Sequence, residues 1–330
     1  MGRSLGWAVV GCGWVARDFV VPAIQASANS RLVAVCDLDP QALSALGGNG
    51  FVRTTNLPEL LRMDGVDAVY IAAPNDVHRA LTGQVAAAGK HVLCEKPMAC
   101  NSADARAMAD ACACAGVTLA IAFDQRYHAA HRTLGAMVRQ GRLGDVTQAR
   151  LHYACWLPPG WASDNWRVDP ARAGGGAVID LAPHGLDLLE TVLDDRIEQL
   201  MCMTQHRVHD YAVEDGGVLL ARLASGTLAT LHVGYNCPET YPRRVLEIIG
   251  TRARALAVNT MGQTAGGSLS LTDAADGHEE TVSLVDDQCP FLLQIQAFAD
   301  AVLDRRPYAY PAERDVRLAT LLGGAALSCH

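Results

Sequence analysis

Trp7-Ala8-Val9-Val10-Gly11-Cys12-Gly13-Trp14-Val15-Ala16 decides the fold. An apolar strand runs straight into two glycines one residue apart, and Ala16 follows three positions later, giving G-x-G-x-x-G/A at the opening of a helix. In that setting the first glycine makes a tight turn, the second lets the backbone approach a pyrophosphate, and Ala16 permits close helix packing. The N–H groups of the first helical turn are left for phosphate oxygens. Gly11, Cys12, Gly13, Trp14 and Val15 are therefore candidate cofactor-binding residues. Pro22, seven residues into the helix, is expected to kink or shorten it.

Working outward, short apolar runs at 5–10, 31–36, 67–73, 91–94 and 118–123 alternate with helical patterns near 15–28, 40–46, 57–63, 76–88 and 102–115. Continuous rather than alternating apolar runs suit parallel strands buried on both faces, so residues 1–123 read as a doubly wound α/β domain. The second run ends in Asp37, 21 residues after Ala16, where a carboxylate accepts hydrogen bonds from ribose hydroxyls and repels a 2′-phosphate. No basic residue stands near it until Arg53, which favours NAD over NADP.

After Asp124 the rhythm changes. A helix at 130–140 and a long strand at 146–156 lead to a loop rich in Pro, Trp and Gly, a helix over 177–193, and strands at 196–206, 213–223, 227–235, 244–249, 268–272 and 280–285. Helices at 291–304 and 312–327 close the chain. Residues 124–330 thus read as one α+β domain with a large, mostly antiparallel open sheet.

Composition bounds the function. Half of the 330 residues are hydrophobic and 19% charged, which excludes a disordered or fibrous chain. The 27 Lys and Arg against 35 Asp and Glu leave a net charge of −8, arguing against nucleic acid or an anionic membrane as partner. The run from Leu5 passes directly into the glycine turn, so it reads as a strand and not as a leader, and the chain is expected in the cytoplasm. The 11 cysteines, scattered through apolar segments (Cys12, Cys36, Cys94, Cys155, Cys202), show no disulfide framework and no metal spacing.

Two motifs fall at carboxyl ends of the predicted parallel strands, where ligands of such sheets bind: Ala73-Pro74-Asn75-Asp76-Val77-His78 and Glu95-Lys96-Pro97. Farther on, Gly174-Gly175-Gly176 precedes Asp180 and His184, which share a helix face at i and i+4. The pair can bind hydroxyls and exchange a proton, or form a surface ion pair, and Pro183 suggests that the helix proper begins only near His184. Trp156, Trp161 and Trp166 lie within 11 positions just before this segment. Their rings, with Arg167, form either a wall for an apolar sugar face or packing at a domain junction. His206 and His209 read as surface residues; Arg126, Tyr127, His128, His131, Arg132, His152, Tyr153, Tyr235 and Asn236 remain open between site and packing.

These blocks, with Ala88-Gly89-Lys90-His91-Val92-Leu93-Cys94 leading into Glu95-Lys96-Pro97, resemble the glucose-fructose oxidoreductase/inositol dehydrogenase/rhizopine-catabolism family along essentially the whole chain. The resemblance implies a Rossmann domain followed by a substrate domain whose open sheet builds a homo-oligomer, dimer or tetramer. It implies that Lys96, joined to Pro97 by a cis peptide, contacts the reacting hydroxyl. Asp180 would bind substrate and His184 would be the acid/base, with Ala73, Pro74, Asn75, His78 and Glu95 in the cofactor pocket. The chain departs from the family at Leu181-Ala182-Pro183 and at Ala253, where many members have glycine. The activity so implied is NAD-dependent oxidation of a secondary hydroxyl of a sugar or cyclitol, with Lys96, Asp180, His184, Trp161, Trp166 and Arg167 on the substrate. The alternatives are an NADPH-dependent keto-sugar reductase and an NAD-cofactored glycosidase.

Overall fold

All six residues of β1 (Leu5–Val10) are buried, as a central strand covered on both faces requires. The structure, a computed structural model, describes residues 3–162, 165–284 and 287–327. Around β1 stand β2 (Ser30–Cys36), β3 (Val52–Thr54), β4 (Ala68–Ile71), β5 (His91–Glu95) and β6 (Leu119–Ala122), in the order β3-β2-β1-β4-β5-β6 with every pair parallel. The connecting helices are α1 (Val21–Ala26), α2 (Pro40–Ala45), α3 (Leu57–Leu61), α4 (His78–Ala87) and α5 (Ser102–Ala115).

Pro22 is accommodated by a change of helix type. Ala16–Val20 form a π turn in which the Val21 N–H donates to Ala16 O, and α1 begins at Val21 with the proline in its first turn. The proline ring, which cannot donate and would crowd the carbonyl four residues back in an α-helix, thus lies at the start of a new helix.

The second sheet has eight strands: β7 (Val146–Ala154), β8 (Ile197–Gln205), β9 (Gly216–Leu223), β10 (Leu228–Gly234), β11 (Arg244–Gly250), β12 (Ala253–Val258), β13 (Ser268–Asp273) and β14 (Glu279–Thr281). Their order is β14-β13-β12-β11-β7-β10-β9-β8, antiparallel throughout except for the β7–β10 pair. The expected α/β class with a parallel and a mostly antiparallel sheet is what the chain adopts. With α6 (Ala129–Arg139) and the one-turn α7 (Pro170–Ala173), the helix α8 (Ala177–Leu193) completes this part. α8 lies close on the sheet: a Cβ on its Gly185 would stand 2.7 Å from Leu231 Cδ2 of β10 and 3.1 Å from Leu151 Cδ2 of β7. The opposite face carries exposed Met201, Met203, Val218, Leu220 and Leu228.

The chain forms two compact units, Met1–Phe123 with Phe291–Ala319, and Asp124–Pro290 with Thr320–His330. This corrects the assignment of 291–319 to the second domain. In α9 (Pro290–Leu303), Phe298 is fully buried against Trp7 of β1, with ring centroids 5.2 Å apart. In α10 (Ala312–Leu327), Glu313 pairs in two hydrogen bonds, 2.6 and 2.7 Å, with Arg106 of α5. Apolar burial at Trp7 thus draws a late segment back to the first sheet.

Candidate active site

In the first unit the glycine turn is fixed by backbone geometry. Gly11 has φ +90°, and a Cβ there would lie 2.6 Å from the Ala72 main chain, so no other residue fits. Gly13 meets nothing within 4 Å of its notional Cβ, an open cradle of the kind a pyrophosphate needs. Cys12 is buried, which together with Asp37 pushes its thiol up to about 12; its Sγ serves as packing while its N–H serves the turn. That N–H donates to Asp37 Oδ2 at 2.6 Å, and the Asp39 N–H donates to Asp37 Oδ1 at 2.9 Å. The carboxylate at the end of β2 is therefore held in place, with acceptor capacity left on each oxygen. Trp14, exposed in the turn, packs edge-on to Phe19, and Val15 leads into the π turn. Arg53 donates to Leu43 O, Leu46 O and Gly48 O and stacks on Phe51, so its guanidinium is committed to its own loop.

At the ends of β4 and β5, Lys96 is half-buried and its bond to Pro97 is cis. Glu95 accepts from the buried Tyr70 hydroxyl at 2.6 Å and from the Lys96 N–H at 3.2 Å. Ala73 and Pro74 are half-buried, and Asn75 is largely buried. His78, expected in the cofactor pocket, lies in the interior of the first unit. It has no exposed surface, and its ring nitrogens lie 3.1 Å from Pro97 O and 2.9 Å from Ala73 O. Burial holds its pKa below the usual imidazole range. His78 thus sits between the turn after β4 and the turn carrying Lys96, with a single N–H to donate when neutral.

In the second unit the glycine run sets the start of α8. Gly174 takes φ +82° to end α7, and a Cβ on Gly176 would lie 2.1 Å from Glu214 O. Glu214 then caps the helix: its Oε1 accepts from the Gly176 and Val178 N–H groups at 2.9 and 3.0 Å, and its carbonyl accepts from the Ala177 N–H. The helix begins at Ala177, seven residues before the start suggested by Pro183, which lies inside it. Asp180 and His184 consequently sit one turn apart within a formed helix and share a face. Asp180 Oδ2 accepts from the Tyr235 hydroxyl at 2.8 Å, and burial together with Asp180 raises that phenol's pKa far above its usual value, keeping it a donor. His184, 6% exposed, packs edge-on to Tyr153 with ring centroids 5.5 Å apart. Asp187, two turns beyond Asp180, is fully buried and binds Arg126 Nε and Nη2 at 2.6 to 2.9 Å, anchoring α8 through a charge pair.

The tryptophans divide. Trp161 lies 6.0 Å from the Tyr235 ring and so belongs to the Asp180 cluster. One face of Trp166 is covered by the Arg167 guanidinium at 4.4 Å. Trp156 packs on His209, which itself stacks on Tyr211 and is half-buried, not the free surface residue expected. His128 and His131 are structural: one accepts from the Ala130 N–H at the start of α6, the other bridges Gln125 O and Thr260 Oγ1. Tyr153 and Tyr235, left open by the sequence, face α8, whereas the His152 ring lies beside His232. Period-2 alternation along β7 separates Tyr153 from His152, but the sequence does not say which face α8 covers.

Residues 5–123 match the family model for the oxidoreductase family with an NAD-binding Rossmann fold, and residues 131–256 match the GFO/IDH/MocA C-terminal domain. The chain belongs to the GFO/IDH/MocA oxidoreductase family. It is similar to 1,5-anhydro-D-fructose reductase of Ensifer adhaerens, 33% identical over 81% of this chain and 80% of that protein. It is also similar to D-xylose 1-dehydrogenase (NADP(+)) 2 of Haloferax volcanii, 31% identical over 89% and 88%. The aldose-aldose oxidoreductase of Caulobacter crescentus shares the fold, with a TM-score of 0.88, 24% identity and 99% of each chain covered. The protein is an NAD(P)-dependent oxidoreductase, and no described helix is long and apolar enough to cross a membrane.

Proposed function

We propose that this family member oxidises a secondary hydroxyl of a sugar or cyclitol with NAD. The observation that carries the reading is the face of α8: a carboxylate held by the Tyr235 hydroxyl, one turn from an imidazole held by Tyr153. Asp180 accepts from the substrate's hydroxyl groups, and His184 takes the proton from the reacting one, returning it in the reverse direction. Lys96 supplies positive charge to the developing alkoxide. The open cradle at Gly13 and the fixed Asp37 carboxylate fit a dinucleotide, with Gly11 to Val15, Asp37, Ala73, Pro74, Asn75 and Glu95 about it; the nicotinamide, when bound, supplies the hydride acceptor. Trp161 and Arg167 complete the substrate side, and Trp166 supports Arg167.

NAD is favoured over NADP because Asp37 repels a 2′-phosphate while Arg53 is engaged by three carbonyls. The sugar names of the relatives support the substrate class, and one of them is a reductase, which supports reduction of a keto-sugar as the second reading. The exposed row of Met201, Met203, Val218, Leu220 and Leu228 on the sheet face opposite α8 supports a homo-oligomer. The test is a set of initial rates on a panel of sugars, cyclitols and keto-sugars with NAD, NADP, NADH and NADPH. Oxidation with NAD is expected to be fastest, and Asp37→Ser to shift preference toward NADP by roughly tenfold or more. Faster keto-sugar reduction with NADPH by the unaltered enzyme would replace this reading with the second.

A further inference from the structure

A cavity of about 400 Å³ in the second unit is walled by Glu239, Thr240, Tyr241, Arg243, Arg244 and Asn259. Its two arginines are not equivalent. Arg243 is bridged to Glu239 at 3.2 Å. Arg244 forms no ion pair among the described residues, and its Nε is buried there without a hydrogen-bond partner. Arg244 is half-buried, and a buried N–H left without a partner costs free energy that an acceptor oxygen of a ligand would recover.

The position of Arg244 ties the cavity to the site on α8. Arg244 opens β11 directly opposite Tyr153 of β7, so the two side chains share a sheet face. Its guanidinium carbon lies 5.8 Å from the centroid of the Tyr153 ring, the ring that packs on His184. The place is fixed from two further sides. A Cβ on Gly262 would stand 2.7 Å from Arg244 Nη1, and Asn259, in the left-handed region at φ +57°, donates its N–H to Arg244 O at 2.7 Å.

We infer that this cavity is a subsite for an anionic substituent of the substrate, in which Arg244 pairs with the oxygens of a carboxylate or phosphate beside the Tyr153–His184 contact. The planar fork of N–H donors suits two oxygens of one such group. The inference deepens the reading of α8 as substrate-binding and rests on it: the substrate becomes a sugar acid or a sugar phosphate instead of a neutral sugar.

The test is calorimetric titration and thermal shift on the full chain with uronic and aldonic acids, sugar phosphates and their neutral parents. The unaltered protein, Arg244→Gln, Arg244→Lys and the control Arg222→Gln, an exposed arginine of β9, are compared. Anionic sugars of one class are expected to bind roughly 10- to 100-fold tighter than their neutral parents. Arg244→Gln removes that preference, Arg244→Lys keeps part of it and Arg222→Gln keeps it whole. The carboxylate and phosphate arms show which oxyanion is meant. Neutral parents that bind as tightly as every anionic sugar, anionic sugars that do not bind, or an Arg244→Gln protein with an unchanged preference would each overturn the subsite. Failure of the oxidoreductase assignment reads differently: the binding contrast persists while no sugar changes the nicotinamide absorbance with any of the four nucleotides.

Discussion

In the glycine turn of the first unit, the groups that face a ligand are main-chain N–H donors and one carboxylate, and the N–H groups that hold the carboxylate come from Cys12 and Asp39, close by in the chain. On α8 of the second unit they are side chains, and what holds them arrives from far along the chain: Tyr153 from β7, Tyr235 from after β10, Glu214 from before β9. The first region depends on room near the backbone, the second on the chemistry of particular side-chain atoms. Substitutions should therefore act differently in the two, through space in one and through lost groups in the other.

The largest effect is expected on the side-chain plan. His184→Ala removes the proton-transfer group and should lower kcat by about 10²- to 10⁴-fold, with Lys96→Ala in the same range, measured by steady-state rates at saturating nucleotide. Near-normal turnover in either variant would remove that residue from the reaction. The backbone plan is probed by a pair of glycines. Gly13→Ala meets no atom of the protein, so it should melt as the unaltered chain does while nucleotide affinity falls by roughly 100-fold, read by titration. Gly11→Ala, forced to φ +90° and against Ala72, should lose about 1–3 kcal/mol of stability as well. A Gly13→Ala protein that binds nucleotide normally would break the contrast between the two regions.

A smaller effect is expected from Tyr235→Phe, which deletes one hydrogen bond to Asp180 and keeps the ring against Trp161. Loss of about 1.5 kcal/mol would raise KM roughly tenfold with little change in kcat, and an equal fall in kcat would mean that Tyr235 acts in the reaction itself. The last is a pH effect. His131, buried in the second unit, has its pKa lowered by burial from 6.5 to about 3. Its unfolded form binds a proton over that window and its folded form does not. The stability it contributes is thus complete above pH 6.5 and is lost as pH falls toward 3, by up to about 1.4 kcal/mol per pH unit. Denaturant titrations of His131→Asn should show a shallower decline on acidification.

Much of this was legible from residues alone, for reasons that follow the same division. Strands buried on both faces show as unbroken apolar runs, and the turn after β1 needs glycines at fixed spacing, so the parallel sheet and the cofactor motif could be read in place. β3 was missed because it is a short edge strand with two of three residues exposed, and β12 because its inward positions are all alanine. The helix over 177–193 forms with those bounds, and Pro183 does not delay its start because Glu214, 38 residues from Gly176, caps it. His78 reads in sequence like a ligand beside a strand end; only the fold shows both ring nitrogens on carbonyls. No periodicity announces that Phe298 returns to Trp7, because that pairing is a matter of which apolar surface closes over which.

Glu214 has a neighbour with a matching task. Asp215, fully buried, accepts from the N–H groups of Arg207, Val208 and His209 at 2.8, 2.5 and 3.2 Å and from Asn236 Nδ2 at 3.1 Å, while Glu214 holds the first amides of α8. Two consecutive carboxylates thus clasp two separate stretches of backbone, and neither stretch can peel away without straining the peptide unit between them. In hydrogen exchange the amides of Gly176 and Val178 should open together with those of 207–209, as one cooperative patch. The helix bearing His184 and the loop bearing His209 are in this sense a single mechanical part.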